Sequence, residues 1–201
     1  MAAIENRDYT LILDKSGSMA TADVNGRSRW DAARESTEAI AAKVHTLDPD
    51  GITVYPFSGS FKRYDNTTPD KVAQIFKEHE PMGSTALHLV LKDAFSNWAS
   101  RKKAGNLKGG ETILVVTDGT PDDSKAVAVA IRDVTKLMDD DSELAISFLQ
   151  VGKDGAAAAY LKRLDNDLQS EGAKYDIVDT KTFEELEGMT LTDALTAAIE
   201  D

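Results

Sequence analysis

Asp14, Ser16 and Ser18 alternate as D-x-S-x-S directly after the apolar run YTLIL. Residues at i, i+2 and i+4 can fall on one side of an extended or curling loop, so one carboxylate and two hydroxyls can converge there. Gly17, between the serines, permits a tight bend. An all-oxygen cluster of this kind suits a hard cation. The same residue types also build ordinary turns, and taken alone this stretch fits either reading.

Two further stretches bear on the choice. The run TILVVT, Thr112 to Thr117, leads into Asp118 and Gly119. If both runs are parallel strands of one sheet, Asp14 and Asp118 stand side by side at its carboxyl edge, where open α/β sheets bind their ligands. At about 5 Å and an effective dielectric near 20, two such charges repel by roughly 3 kcal/mol, and a divalent cation between them turns repulsion into attraction. The third stretch, PMGSTAL from Pro81 to Leu87, opens a helix-like segment. Ser84 or Thr85 fits its N-cap; a hydroxyl there also lies on the carboxyl side of the sheet.

The elements that must position these residues alternate between strand and helix along the whole chain, the pattern of βαβ units around a parallel sheet. Strands are expected at Tyr9 to Leu13, Ile52 to Phe57, Thr112 to Thr117, Ala145 to Val151 and Tyr175 to Val178, mostly as the continuous apolar runs of strands covered on both faces. Lys62 to Tyr64 reads as a short antiparallel edge strand. Trp30, Ala33, Thr37, Ile40, Val44 and Leu47 recur with a helical period. Similar stripes run through Leu87, Leu91, Ala94 and Trp98, through Val127, Ile131, Val134 and Met138, and through Tyr160, Leu161, Leu164 and Leu168. Leu191, Leu195, Ala198 and Ile199 form a last one. Pro69 suits a first helical turn, so Pro69 to Glu80 reads as one further helix. The acidic run Asp139 to Asp141 reads as a solvated connection.

With 201 residues, 41% of them hydrophobic and 29% charged, the chain reads as a single α/β domain over residues 1–201 with a sizeable core. A net charge of −12 repels phosphate backbones and anionic lipid, which argues against nucleic-acid and membrane partners. The absence of cysteine excludes disulfides, zinc-thiolate sites and thiol nucleophiles. No apolar stretch has the length of a membrane span and the N-terminal stretch has no signal-like apolar region, so a cytoplasmic location is expected.

Together the three oxygen-bearing stretches resemble the von Willebrand factor A domain and its metal-ion-dependent adhesion site: D-x-S-x-S after the first strand, a Thr before the third helix, and an Asp in a T-D-G context after the fourth strand. The matching positions are Asp14, Ser16, Ser18, Thr85 and Asp118. The resemblance implies a three-layer, doubly wound, Rossmann-like sheet in the order 3-2-1-4-5-6, mostly parallel with one antiparallel edge strand and helices on both faces. It further implies Mg²⁺, with Mn²⁺ or Ca²⁺ as alternatives, held at those five positions and completed by an Asp or Glu of a partner protein. An AAA+ ATPase or a multi-protein assembly is the kind of partner that fits such a module. The loop Thr21 to Ser28 matches no family feature.

The competing class is a Mg²⁺-dependent phosphatase or other hydrolase on a similar sheet, because an open metal site can also polarise phosphate or activate water. The haloacid dehalogenase type of phosphatase needs a second acid two residues after its nucleophile, and Ser16 stands there. No P-loop and no G-x-S-x-G elbow occurs. His45 and His79 fall near helix ends, whereas His88 follows Thr85 and is the histidine placed to approach the site. Asp122 and Asp123 read as the rim of the same face or as N-caps of the next helix.

Overall fold

The computed structural model describes residues 6–22 and 26–187. Its strands are β1 (Asp8–Asp14), β2 (Ile52–Phe57), β3 (Tyr64–Thr67), β4 (Glu111–Thr117), β5 (Leu144–Gln150) and β6 (Val178–Thr182). The helices between them are α1 (Arg29–Leu47), α2 (Pro69–Glu78), α3 (Leu87–Ala104), α4 (Ser124–Thr135), α5 (Gly155–Asp167) and α6 (Phe183–Glu187). They assemble into one six-stranded sheet in the order β3-β2-β1-β4-β5-β6, parallel throughout except for the antiparallel edge pair β2 and β3.

Each central strand is apolar on both sides because both sides are covered. Ile12, Ile113, Val115, Ile146 and Phe148 pack with Leu87, Leu91 and Trp98 of α3, Val127 and Ile131 of α4 and Leu161 of α5. Their strand neighbours Leu11, Leu13, Leu114 and Val116 face the other way, onto Trp30, Ile40 and Val44 of α1 and Val72 and Ile75 of α2. The period of two in the strands therefore feeds two separate cores. Pro69 occupies the first turn of α2, as its fixed φ and missing N–H favour.

Both edge strands differ from the sequence expectation. The strand expected at Lys62 to Tyr64 forms at Tyr64–Thr67, after a bulged register between Ile52 and Val54. The one expected at Tyr175 to Val178 pairs instead over Val178–Thr182, from Ile146↔Val178 to Gln150↔Thr182. An edge strand takes its position from backbone pairing, so an apolar run marks it poorly. The stripe Leu191 to Ile199 lies outside the described residues. Among those residues, no helix is long and apolar enough to cross a membrane.

The amino edge of the sheet carries a closed ion-pair network. Glu111, buried at the start of β4, accepts from the Thr10 hydroxyl at 2.6 Å and pairs with Arg101, which also reaches Asp8 at 2.8 Å. Buried Asp48 is paired with Lys108. Buried Arg7 donates to the Thr112 hydroxyl and to the carbonyls of Glu111 and Ser142.

Candidate metal centre

At the opposite edge β1 ends in Asp14, which is fully buried. The chain then turns into a short 3₁₀ helix, Gly17–Ala20, pinned by the fully buried Met19. The Ser16 N–H donates to Asp14 Oδ1 at 2.8 Å, and the Ser16 and Ser18 hydroxyl oxygens lie 3.0 Å apart. The Ser18 hydroxyl donates to Asp118 Oδ1 at 2.8 Å, across 100 residues of sequence. Thr117, the last residue of β4, donates its hydroxyl to Asp14 Oδ2 at 2.6 Å. The convergence expected of D-x-S-x-S and the T-D-G segment is thus present as one hydrogen-bonded chain. Gly17 does not serve through a left-handed bend; its N–H donates at 3.0 Å to the Gly83 carbonyl, and a side chain there would sit against that oxygen.

The third segment is tied in by its backbone. Met82 N–H donates to the Lys15 carbonyl at 2.8 Å and Ala86 N–H to the Ser58 carbonyl at 3.0 Å. Thr85 N–H donates to Asp122 Oδ2 at 3.0 Å while Asp122 N–H returns a 3.0 Å bond to the Thr85 carbonyl, so two loops are clasped together. Neither Ser84 nor Thr85 caps α3: the capping position falls on Ala86 and has no side-chain bond. The reciprocal pair with Asp122 already satisfies the Thr85 backbone, and the Thr85 hydroxyl makes no hydrogen bond among the described residues. Thr85 is therefore on a loop bonded to the site, without a direct bond to Asp14, Ser16, Ser18 or Asp118. Asp123 does cap the following helix, α4, accepting from Ala126 N–H at 2.9 Å.

The electrostatics are asymmetric. Burial pushes the Asp14 carboxyl up to about 6, against the hydrogen bonds from Thr117 and Ser16, and the neighbouring Asp118 charge adds to the rise. Asp118 is likewise fully buried, and its Oδ2 receives Arg29 Nη1 at 2.7 Å. Sequence reading missed Arg29, Thr117 and the clasping role of Asp122. Thr117 was marked by the T-D-G context; nothing in the local sequence marks Arg29, whose partner lies 89 residues away. His88, on the first turn of α3, has a buried Nδ1 with no partner, and none of the three histidines bonds to Asp14, Ser16, Ser18 or Asp118 among the described residues.

Among the described residues no group of three or more His, Cys, Asp or Glu side chains is placed to hold a metal. A cation here would rest on two carboxylates and on hydroxyls, a set that matches the oxygen preference and charge of Mg²⁺ or Mn²⁺ and leaves shell positions to water. Asp14, Ser16, Ser18 and Asp118 fit that requirement in type and in mutual contact.

The sheet order, the single antiparallel edge and the helices on both faces define a von Willebrand factor A-like α/β fold. Two solved structures share it. A point mutant of the PilB minor pilin from Streptococcus sanguinis superposes with a TM-score of 0.65 at 17% identity, covering 94% of this chain and 60% of that one. The manganese-loaded TRAP protein of Plasmodium vivax superposes with a TM-score of 0.57 at 12% identity, covering 90% of this chain and 70% of that one. At such identities the likeness is one of fold. This chain spans less than two thirds of the pilin's length. No protein-family model matches the chain, and no curated protein matches it.

Proposed function

We propose that this chain is a metal-dependent protein-interaction module, with Asp14, Ser16, Ser18, Thr85 and Asp118 holding Mg²⁺ or Mn²⁺. The observation that carries the reading is the Ser16–Ser18–Asp118 hydrogen-bond chain beside buried Asp14, which gathers two carboxylates and two hydroxyls from remote segments. A divalent ion bound there supplies an exchangeable coordination position for an Asp or Glu of a partner protein. The protein's own part is positional. Met19 anchors the serine loop, Thr117 and the Ser16 N–H orient Asp14, and Asp122 holds the Thr85 loop against the strand ends. The manganese in the TRAP structure belongs to that protein, and it supports the reading by analogy of fold.

The proposal includes a cytoplasmic location and a partner such as an AAA+ ATPase or a multi-protein assembly. Its test is affinity capture from native lysate in Mg²⁺, with EDTA and Asp14→Ala as controls, followed by substitution of the acidic residues of any retained protein. The expected result is a partner lost in both controls and on removal of a single Asp or Glu. Capture that is indifferent to EDTA would sink the reading. Metal-dependent turnover of generic phosphatase substrates, abolished by Asp118→Ala, would replace it with the hydrolase class.

A further inference from the structure

Arg29 enters the candidate metal centre from outside the oxygen cluster. It is the first residue of α1, fixed by Ser28 as N-cap and by its own N–H donating to the Thr21 carbonyl at 3.0 Å. Its side chain runs past Gly152, just beyond the end of β5. A Cβ at Gly152 would stand 2.9 Å from Arg29 Nε, and the backbone there has a φ of +76°, so glycine both keeps the passage clear and tolerates the turn. The guanidinium ends 2.7 Å from Asp118 Oδ2, with its side chain 19% exposed against 0% for the carboxylate.

Asp118 therefore divides its two oxygens, one to the Ser18 hydroxyl and one to a permanent cation. A guanidinium stays charged at any working pH, so this counter-charge is a permanent one. A divalent ion needs lone pairs of the same carboxylate and is repelled by the same positive charge. Buried carboxylates left without a counter-ion are costly, which gives Arg29 a use when no metal is bound.

We propose that Arg29 is a built-in competitor of the divalent cation: it neutralises Asp118 in the metal-free protein and must give up that contact for metal to bind, which sets a deliberately weak affinity. This inference rests on the metal-site reading of the same residues. It assigns to Arg29 the balance between a metal-free site in which Asp118 is paired and a loaded one.

The test is calorimetric titration of MnCl₂ into the wild-type chain and Arg29→Gln at fixed ionic strength, with thermal melts of both in EDTA. Arg29→Gln is expected to bind Mn²⁺ at least about tenfold more tightly, as the loss of one nearby like charge implies. In EDTA it should melt below wild type, and added Mn²⁺ should raise its midpoint more than that of wild type. If Arg29→Gln does not fold, Arg29→Met, which keeps an unbranched stem to run past Gly152 but removes the charge, should bind at least a few-fold more tightly than wild type. Wild type and variant binding with equal affinity, or the variant binding more weakly, overturns the competition and leaves the metal site standing. Binding by neither protein at millimolar Mn²⁺ overturns the metal site itself, and the competition with it.

Discussion

Glu111 and Asp14 are carboxylates at opposite ends of adjacent central strands, and both are fully buried. They are treated differently by their surroundings. Burial raises the Glu111 carboxyl, but Arg101 and the Thr10 hydroxyl pull against it, and Asp8 and Lys108 extend the pairing outward. Asp14 has hydrogen bonds from Ser16 and Thr117, a second buried acid nearby, and no cation of its own among the described residues. Only Asp118 beside it is paired, with Arg29. The amino edge has thus solved its electrostatics internally, while the carboxyl edge keeps negative charge that a further cation can satisfy. Buried acid alone does not single out a candidate ligand site; buried acid short of counter-charge does.

The comparison is broken most severely at the amino edge. Arg101→Ala would leave Glu111 buried without its partner, and the expected loss is about 3–5 kcal/mol in denaturant unfolding. That loss should be the same in Mn²⁺ and in EDTA, since the network lies at the edge opposite the candidate metal centre. A loss below about 1 kcal/mol would mean that the pairing is ordinary surface electrostatics.

Asp14→Asn should do the reverse. The folded carboxyl ionises at about 6 against its usual 3.8, so the native state holds the proton more tightly. The stability this contributes is complete below the unfolded value and is lost as pH rises through the folded one. At pH 7.5 in EDTA the variant is therefore expected to be more stable than wild type by up to about 3 kcal/mol, and to lose Mn²⁺ binding. The gap between the two proteins should narrow as pH falls from about 6 to about 4. A variant less stable than wild type at pH 7.5 would show that Asp14 is not electrostatically frustrated.

Neighbouring acids in one loop sharpen the contrast further. Asp122→Ala removes the side-chain half of the clasp on Thr85 and should cost about 1–2 kcal/mol while weakening Mn²⁺ affinity several-fold. Asp123→Ala removes only the cap of α4; it should cost about 1 kcal/mol and leave the affinity unchanged. Thermal melts and Mn²⁺ titrations on both variants distinguish the two roles.

Much of this was legible in the sequence because the central strands are buried on both faces and announce themselves as apolar runs. Leu11 to Leu13 and Ile113 to Val116 could hardly be anything but core, and their termination in Asp14 and Asp118 placed the acids at one edge. The edge strands were displaced by two to four residues because β3 and β6 are fixed by hydrogen bonding to a neighbour, with charged and polar residues such as Asp65, Asn66, Asp179 and Lys181 in the strands themselves. The capping role expected of Ser84 or Thr85 failed because α3 begins at Leu87 and its cap position falls on Ala86, while the Thr85 backbone is held by Asp122, distant in sequence. Arg29 was invisible for the same reason: a cation at the start of an amphipathic helix looks like any solvated residue until the fold brings Asp118 to it.

The central claim is most directly tested by equilibrium dialysis of the purified chain against Mn²⁺. The account predicts one ion retained per chain, lost in Asp14→Ala and in Asp118→Ala, and kept in folded Arg101→Lys at the opposite edge. No retention at millimolar Mn²⁺, or retention undiminished by Asp118→Ala, would contradict it.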